Sequence, residues 1–106
     1  MVKNINNSLG FKSAVLNSEV PVLVDFYSDR CAPCKSVAPI IDHVSNQFKD
    51  KLHVVKINVA DSPDLSNLYH IMSLPTLLMF KKGRVVDQIV GSMPRVKIEE
   101  FVTKNI

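Results

Sequence analysis

The sequence predicts an α/β fold in which a central mixed β-sheet of about five strands is flanked by about four helices. Three observations carry that prediction. Near-continuous apolar runs alternate with stretches whose apolar residues recur every three or four positions, in the order β-α-β-α-β-α-β-β-α. The runs at residues 21–27 and 52–59 are apolar on both faces, which suits strands covered by helices on either side. The last two strand-like runs are separated only by Lys81-Lys82-Gly83-Arg84, a four-residue turn that reads as an antiparallel hairpin.

Each element can be justified in order. Residues 2–5 make a short opening strand. Residues 9–16 follow a loose helical pattern through Leu9, Phe11, Val15 and Leu16, and Asn17-Ser18 ends it. In residues 21–27, strand alternation puts Leu23, Asp25 and Tyr27 on one face and Val22, Val24 and Phe26 on the other. Ser28-Asp29-Arg30 leads into a helix reaching about Phe48, whose inward stripe is Val37, Ile40, Ile41, Val44 and Phe48. Pro39 falls inside it and is expected to kink it. After the strand at 52–59, Asp61-Ser62-Pro63-Asp64 has the grammar of a helix start: a capping side chain, a first-turn proline, then an acid. The short helix that follows uses Leu65, Leu68 and Tyr69. Beyond the hairpin strands at 76–80 and 85–90, Ser92-Met93-Pro94 opens a last helix offering Val96, Ile98, Phe101 and Val102 for burial.

The chain of 106 residues is the size of one domain with one core, so residues 1–106 are read as a single domain. Its 46% hydrophobic and 22% charged residues suit a soluble globular protein. No apolar run approaches the roughly 18 residues of a membrane span, and no signal-like core follows Met1. A cytoplasmic monomer without membrane attachment is expected. The net charge of +3 comes from cations interleaved with acids, which describes a solvated surface better than a nucleic-acid site.

Arg30-Cys31-Ala32-Pro33-Cys34-Lys35 holds the only two cysteines of the chain, three residues apart at the start of the long helix. A helix start offers unpaired N–H groups and the positive end of a dipole, which stabilise a thiolate. The spacing puts both sulfurs on one helical face, close enough to bond or to separate. Two cysteines are too few for the staple framework of a small secreted domain, so a cycling function explains them better than stability does. Cys31, at the helix mouth beside Arg30, is expected to be the exposed, more acidic thiol, and Cys34 the buried one. A metal reading is weak, because His43, His53 and His70 are scattered singly. Asp25, if both sheet faces are covered, is buried with a raised pKa and suits proton transfer to or from Cys34. The alternative is a strand-end aspartate bonding nearby backbone. Tyr27 and Tyr69 read as packing aromatics.

Val24-Asp25-Phe26, Cys31-Ala32-Pro33-Cys34-Lys35, Ala38-Pro39, Lys56, Leu74-Pro75-Thr76 and the stretch from Gly83 to Gly91 together resemble the thioredoxin family, in order and in spacing. The resemblance spans essentially the whole chain and implies the thioredoxin fold. It implies that Cys31 attacks a client disulfide, that Cys34 resolves the intermediate and that Asp25 moves a proton. It also implies that Lys56 partners Asp25, although a lysine snorkelling to the surface is an alternative. By resemblance the Leu74–Pro75 bond is cis. Ser73, Leu74 and Pro75 then contact an extended client, with Gly91, Ser92 and the active-site residues Arg30, Ala32 and Pro33 alongside. No bound cofactor or metal is implied. Electrons are expected from NADPH through a thioredoxin reductase, since this chain has no Gly-rich dinucleotide motif of its own. The expected function is a protein-disulfide reductase, with an oxidase or isomerase, or a thioredoxin-fold binding subunit, as the alternatives.

Three positions depart from the family pattern. Arg30 and Tyr27 stand where thioredoxins usually carry Trp, and Ala32 where they usually carry Gly. A guanidinium beside the reactive sulfur stabilises the thiolate, hence the reduced protein, and so makes the couple more oxidising. Arg30→Trp is therefore expected to lower the reduction potential. The shift is less than about 30 mV, the equivalent of one pKa unit in a two-electron couple. A glutathione titration of both proteins measures it; no change, or a rise, refutes the argument.

Overall fold

A computed structural model describes residues 2–106. The elements are β1 (Val2–Ile5), α1 (Ser8–Phe11, continued by a π-helical turn over Lys12–Leu16), β2 (Val22–Tyr27), α2 (Ala32–Gln47), β3 (His53–Asn58), α3 (Pro63–Leu68), β4 (Thr76–Lys81), β5 (Arg84–Val90) and α4 (Arg95–Asn105). They follow the expected order. The sheet runs β1-β3-β2-β4-β5, with β3 parallel to both β1 and β2, and β4 antiparallel to β2 and β5. This is the mixed sheet of the thioredoxin fold.

The apolar pattern of β2 explains why it sits in the middle. Val22, Val24 and Phe26 face one layer, built with Val55, Ile57, Leu78 and Phe80 from neighbouring strands and closed by Phe11, Val15 and Leu65. Leu23 faces the other, with Val54, Leu77 and Met79, under Val37, Ile41 and Val44 of α2 and Ile98, Phe101 and Val102 of α4. Phe11, Tyr69 and Phe80 pack with ring centroids 5.3–5.6 Å apart, edge-to-face or tilted. Tyr69 thus packs as expected.

Local differences from the sequence reading have simple causes. The hairpin turn has two central residues, Lys82 and Gly83, rather than four, because Lys81 pairs with Arg84 across the ladder. Both central residues have positive φ, 51° and 78°, the turn that matches strand twist. Leu68 and Val96 are exposed, because α3 turns only Leu65 inward and α4 only Ile98, Phe101 and Val102. Ser62 occupies the N-cap of α3 without making a capping bond, and its buried hydroxyl has no partner among the described residues. Pro39 lies within α2, which runs unbroken past it.

Gly83 is the position where the fold most depends on a missing side chain. Besides its φ of +78°, an added Cβ would stand 3.0 Å from the Leu16 carbonyl oxygen. Gly83→Ala is expected to cost about 1–2 kcal/mol, the penalty of a left-handed L-residue. Urea unfolding with an unchanged slope measures it, and a midpoint equal to wild type would contradict the turn geometry.

Candidate active site

The site forms where strand β2 stops and helix α2 starts. Tyr27 ends the strand, Ser28-Asp29-Arg30 crosses to the helix, and Cys31 is the N-cap residue, extended at φ −97°, ψ 105°. Its sulfur accepts a hydrogen bond from the Cys34 N–H at 3.1 Å, and its carbonyl accepts from the Lys35 N–H at 3.2 Å. A helix N-terminus has spare N–H donors, and here one is spent on sulfur. Cys31 and Cys34 are joined as a disulfide, with Cα atoms 5.2 Å apart. Cys31 is partly exposed and Cys34 is 4% exposed, the asymmetry the sequence implied. Pro33 occupies the first turn, where its missing N–H costs nothing, and Arg30, Ala32 and Pro33 all face solvent.

Sheet register brings a second loop to the same end of the molecule. Thr76, the first residue of β4, lies opposite Phe26 near the end of β2 and opposite Val90 at the end of β5. The segment before Thr76 therefore shares an edge with the start of α2. The Leu74–Pro75 bond is cis. The Thr76 hydroxyl donates to the Ser73 carbonyl at 2.5 Å, and the Gly91 N–H donates to the Pro75 carbonyl at 2.8 Å, tying the two loops together. Ser73 and Ser92 are exposed, Leu74 and Gly91 partly so, and Pro75 is buried.

Asp25 is 1% exposed on the α2 side of β2, and its Oδ1 has no hydrogen-bond partner among the described residues. Burial pushes its pKa up from 3.8 to about 6, while the charge of Lys56 pulls the other way. Lys56 sits opposite Asp25 in the β2–β3 register, yet among the described residues it makes no ion pair. Its ammonium instead lies 4.5 Å from the centroid of the Tyr27 ring. The implied pairing is thus electrostatic and indirect, because the aromatic face holds the cation. Tyr27, Asp29, Cys34, Lys35 and Lys56 line a small cavity of about 110 Å³ behind the disulfide. Tyr27, expected from the sequence to be a packing aromatic, also lines this cavity and seats the Lys56 ammonium; its position two residues after Asp25, on the same strand face, is the signal for that place. Met72, just before Ser73, is 92% exposed, which a single Met in a loop does not signal in the sequence.

The histidines do not gather at this site. His43 is bonded by the Arg95 guanidinium and lies 3.9 Å from Glu99, between α2 and α4. Among the described residues no group of three His, Cys, Asp or Glu side chains is placed to hold a metal.

Comparison with known proteins decides the family. The family model described as thioredoxin matches residues 2–104. The chain belongs to the thioredoxin family. It is similar to thioredoxin 1 of Nostoc sp. (strain PCC 7120), 43% identical over 91% of this chain and 90% of the relative. Thioredoxin C-2 of Corynebacterium nephridii is 46% identical over 91% and 89% of the two chains. The thioredoxin of Rickettsia felis is 39% identical over the full length of both. Thioredoxins are thiol–disulfide oxidoreductases that carry no cofactor, and the Cys31–Cys34 pair fits a protein-disulfide reductase.

The buried carboxyl has a consequence for stability. Below about pH 4 it is protonated folded and unfolded alike; above its folded value of about 6 it is charged in both, and the folded state carries the burial cost. A shift of about two units corresponds to about 3 kcal/mol. The stability gain of Asp25→Asn over wild type is therefore expected to rise by about that amount between pH 4 and 7 and then level off. Denaturant unfolding across pH checks it; a flat difference would show that the carboxyl is not buried as a charge.

Proposed function

We propose that this thioredoxin-family protein is a cytoplasmic, monomeric, single-domain reductase of protein disulfides, taking electrons from NADPH through a thioredoxin reductase. The observation that carries the reading is the asymmetry of the two sulfurs: Cys31 reachable at the helix cap, Cys34 buried one turn behind it. The Cys31 thiolate attacks a client sulfur, breaking the client disulfide and forming a mixed one. Cys34, losing its proton with Asp25 as acceptor, then attacks Cys31, and the reduced client leaves. Lys56 keeps the Asp25 carboxylate accessible by opposing the burial cost. The extended client lies along Ser73, Leu74 and Pro75, flanked by Gly91 and Ser92, with Arg30, Ala32 and Pro33 on the other side of the sulfur. Main-chain pairing of this kind tolerates many client sequences.

The oxidase or isomerase alternative differs in potential. A reductase belongs near about −270 mV and a strong oxidase near about −120 mV, so a glutathione titration separates them. Insulin reduction with NADPH and a thioredoxin reductase is expected to be fast, to be lost in Cys31→Ser, and to stall in Cys34→Ser with the client held as a mixed disulfide. Equal trapping by both variants would overturn the assignment of roles, and absence of turnover would favour a binding subunit.

A further inference from the structure

Arg30 is the charged residue directly next to the nucleophile. Ala32, Pro33, Met72, Ser73, Gly91 and Ser92 on the loops at this end are exposed or half-exposed and uncharged, while the other exposed charges near Cys31 in sequence are Asp29, before Arg30, and Lys35, a turn into the helix. Arg30 is exposed and immediately precedes the nucleophile. Among the described residues it forms no ion pair and no side-chain hydrogen bond, so its fork of donors is uncommitted. The neighbouring acid does not cancel it. Asp29, exposed and next to it in sequence, lines the cavity behind the disulfide, a wall that does not include Arg30, and among the described residues it forms no ion pair with Arg30.

We propose that Arg30 is a specificity-determining residue that selects client disulfides flanked by a carboxylate. This rests on the reductase reading above and names its preferred substrate class. A planar guanidinium accepts a carboxylate through two parallel N–H bonds, which an indole at this position does not offer. A client lying extended beside Cys31 carries the residues next to its own cysteine past Arg30. There an Asp or Glu is attracted and a Lys or Arg repelled. Because both groups stay partly solvated, the preference is modest, about two- to five-fold, and is screened by salt.

The test uses pre-reduced protein and disulfide-linked peptide pairs bearing a fluorophore and a quencher on opposite arms. The peptides are identical except for Glu, Gln or Lys beside the attacked cysteine. Single-turnover second-order rate constants are compared as ratios within each protein, so any change in thiol potential cancels. Wild type is expected to favour Glu over Lys. The ratio should fall toward one in about 1 M salt and in Arg30→Gln, and invert in Arg30→Glu. Equal rates for the three peptides in wild type, or a Glu preference that survives Arg30→Gln, overturns the proposal while leaving the reductase reading intact. Failure to cleave any of the peptides overturns the reductase reading, and this proposal with it.

Discussion

Covering strand β2 on both faces is the constraint on which the rest depends. Val22, Val24 and Phe26 bury one side and Leu23 the other, so the strand lies in a sheet sandwiched between helices. Two consequences follow from that single fact. Any polar residue on the strand is forced into the core, and Asp25 is the residue that occupies the position. The chain leaving such a strand must cross to the covering layer, so α2 starts directly over the strand end with its N-terminus at the sheet edge. The buried acid and the cysteine-capped helix are products of the same packing.

The helix start then divides the labour between the sulfurs. At an N-cap the side chain faces the free N–H groups, and Cys31 accepts from Cys34 there; one turn on, Cys34 points into the core. Pro33 stiffens the turn between them. The partner loop is aligned by strand register alone, since Thr76 pairs with both Phe26 and Val90. No long-range side-chain network is required to assemble this end of the molecule. Backbone pairing places it, and the Thr76–Ser73 and Gly91–Pro75 bonds hold the two loops.

Much of this was legible in the residues, and the failures have physical causes. The two-sided run at β2 gave the sheet, and alternation within it put Asp25 on the same face as Leu23, because a pleated strand has a strict period of two; which helices cover that face is seen only in the structure. The 3.6-residue stripe gave α2 and the burial of Val37, Ile41 and Val44. What periodicity does not encode is which parts of an amphipathic stripe meet a partner. Leu68 and Val96 fit helical patterns but face water, because α3 and α4 present only part of each stripe to the sheet. The hairpin turn came out shorter than the polar cluster suggested, since Lys81 and Arg84 join the ladder despite their charge. The pairing of Lys56 with Asp25 comes from the family resemblance alone. The competing aromatic face of Tyr27 is a matter of side-chain direction, which the sequence leaves open.

That aromatic seat bears on the chemistry. An ammonium in direct contact with Asp25 would favour the carboxylate strongly and drag its pKa back toward an ordinary acid. Held over Tyr27 instead, Lys56 offsets the burial only in part, and the carboxyl stays near 6. With its pKa raised from 3.8 to about 6, the carboxyl lies nearer neutrality than an ordinary aspartate, the range that a group exchanging protons near pH 7 requires. A directly paired aspartate would be a weaker base, and an equally buried one with no cation nearby would hold its proton more tightly. The indirect position of Lys56 sets Asp25 between those limits, which is the condition that the proposed proton transfer from Cys34 needs.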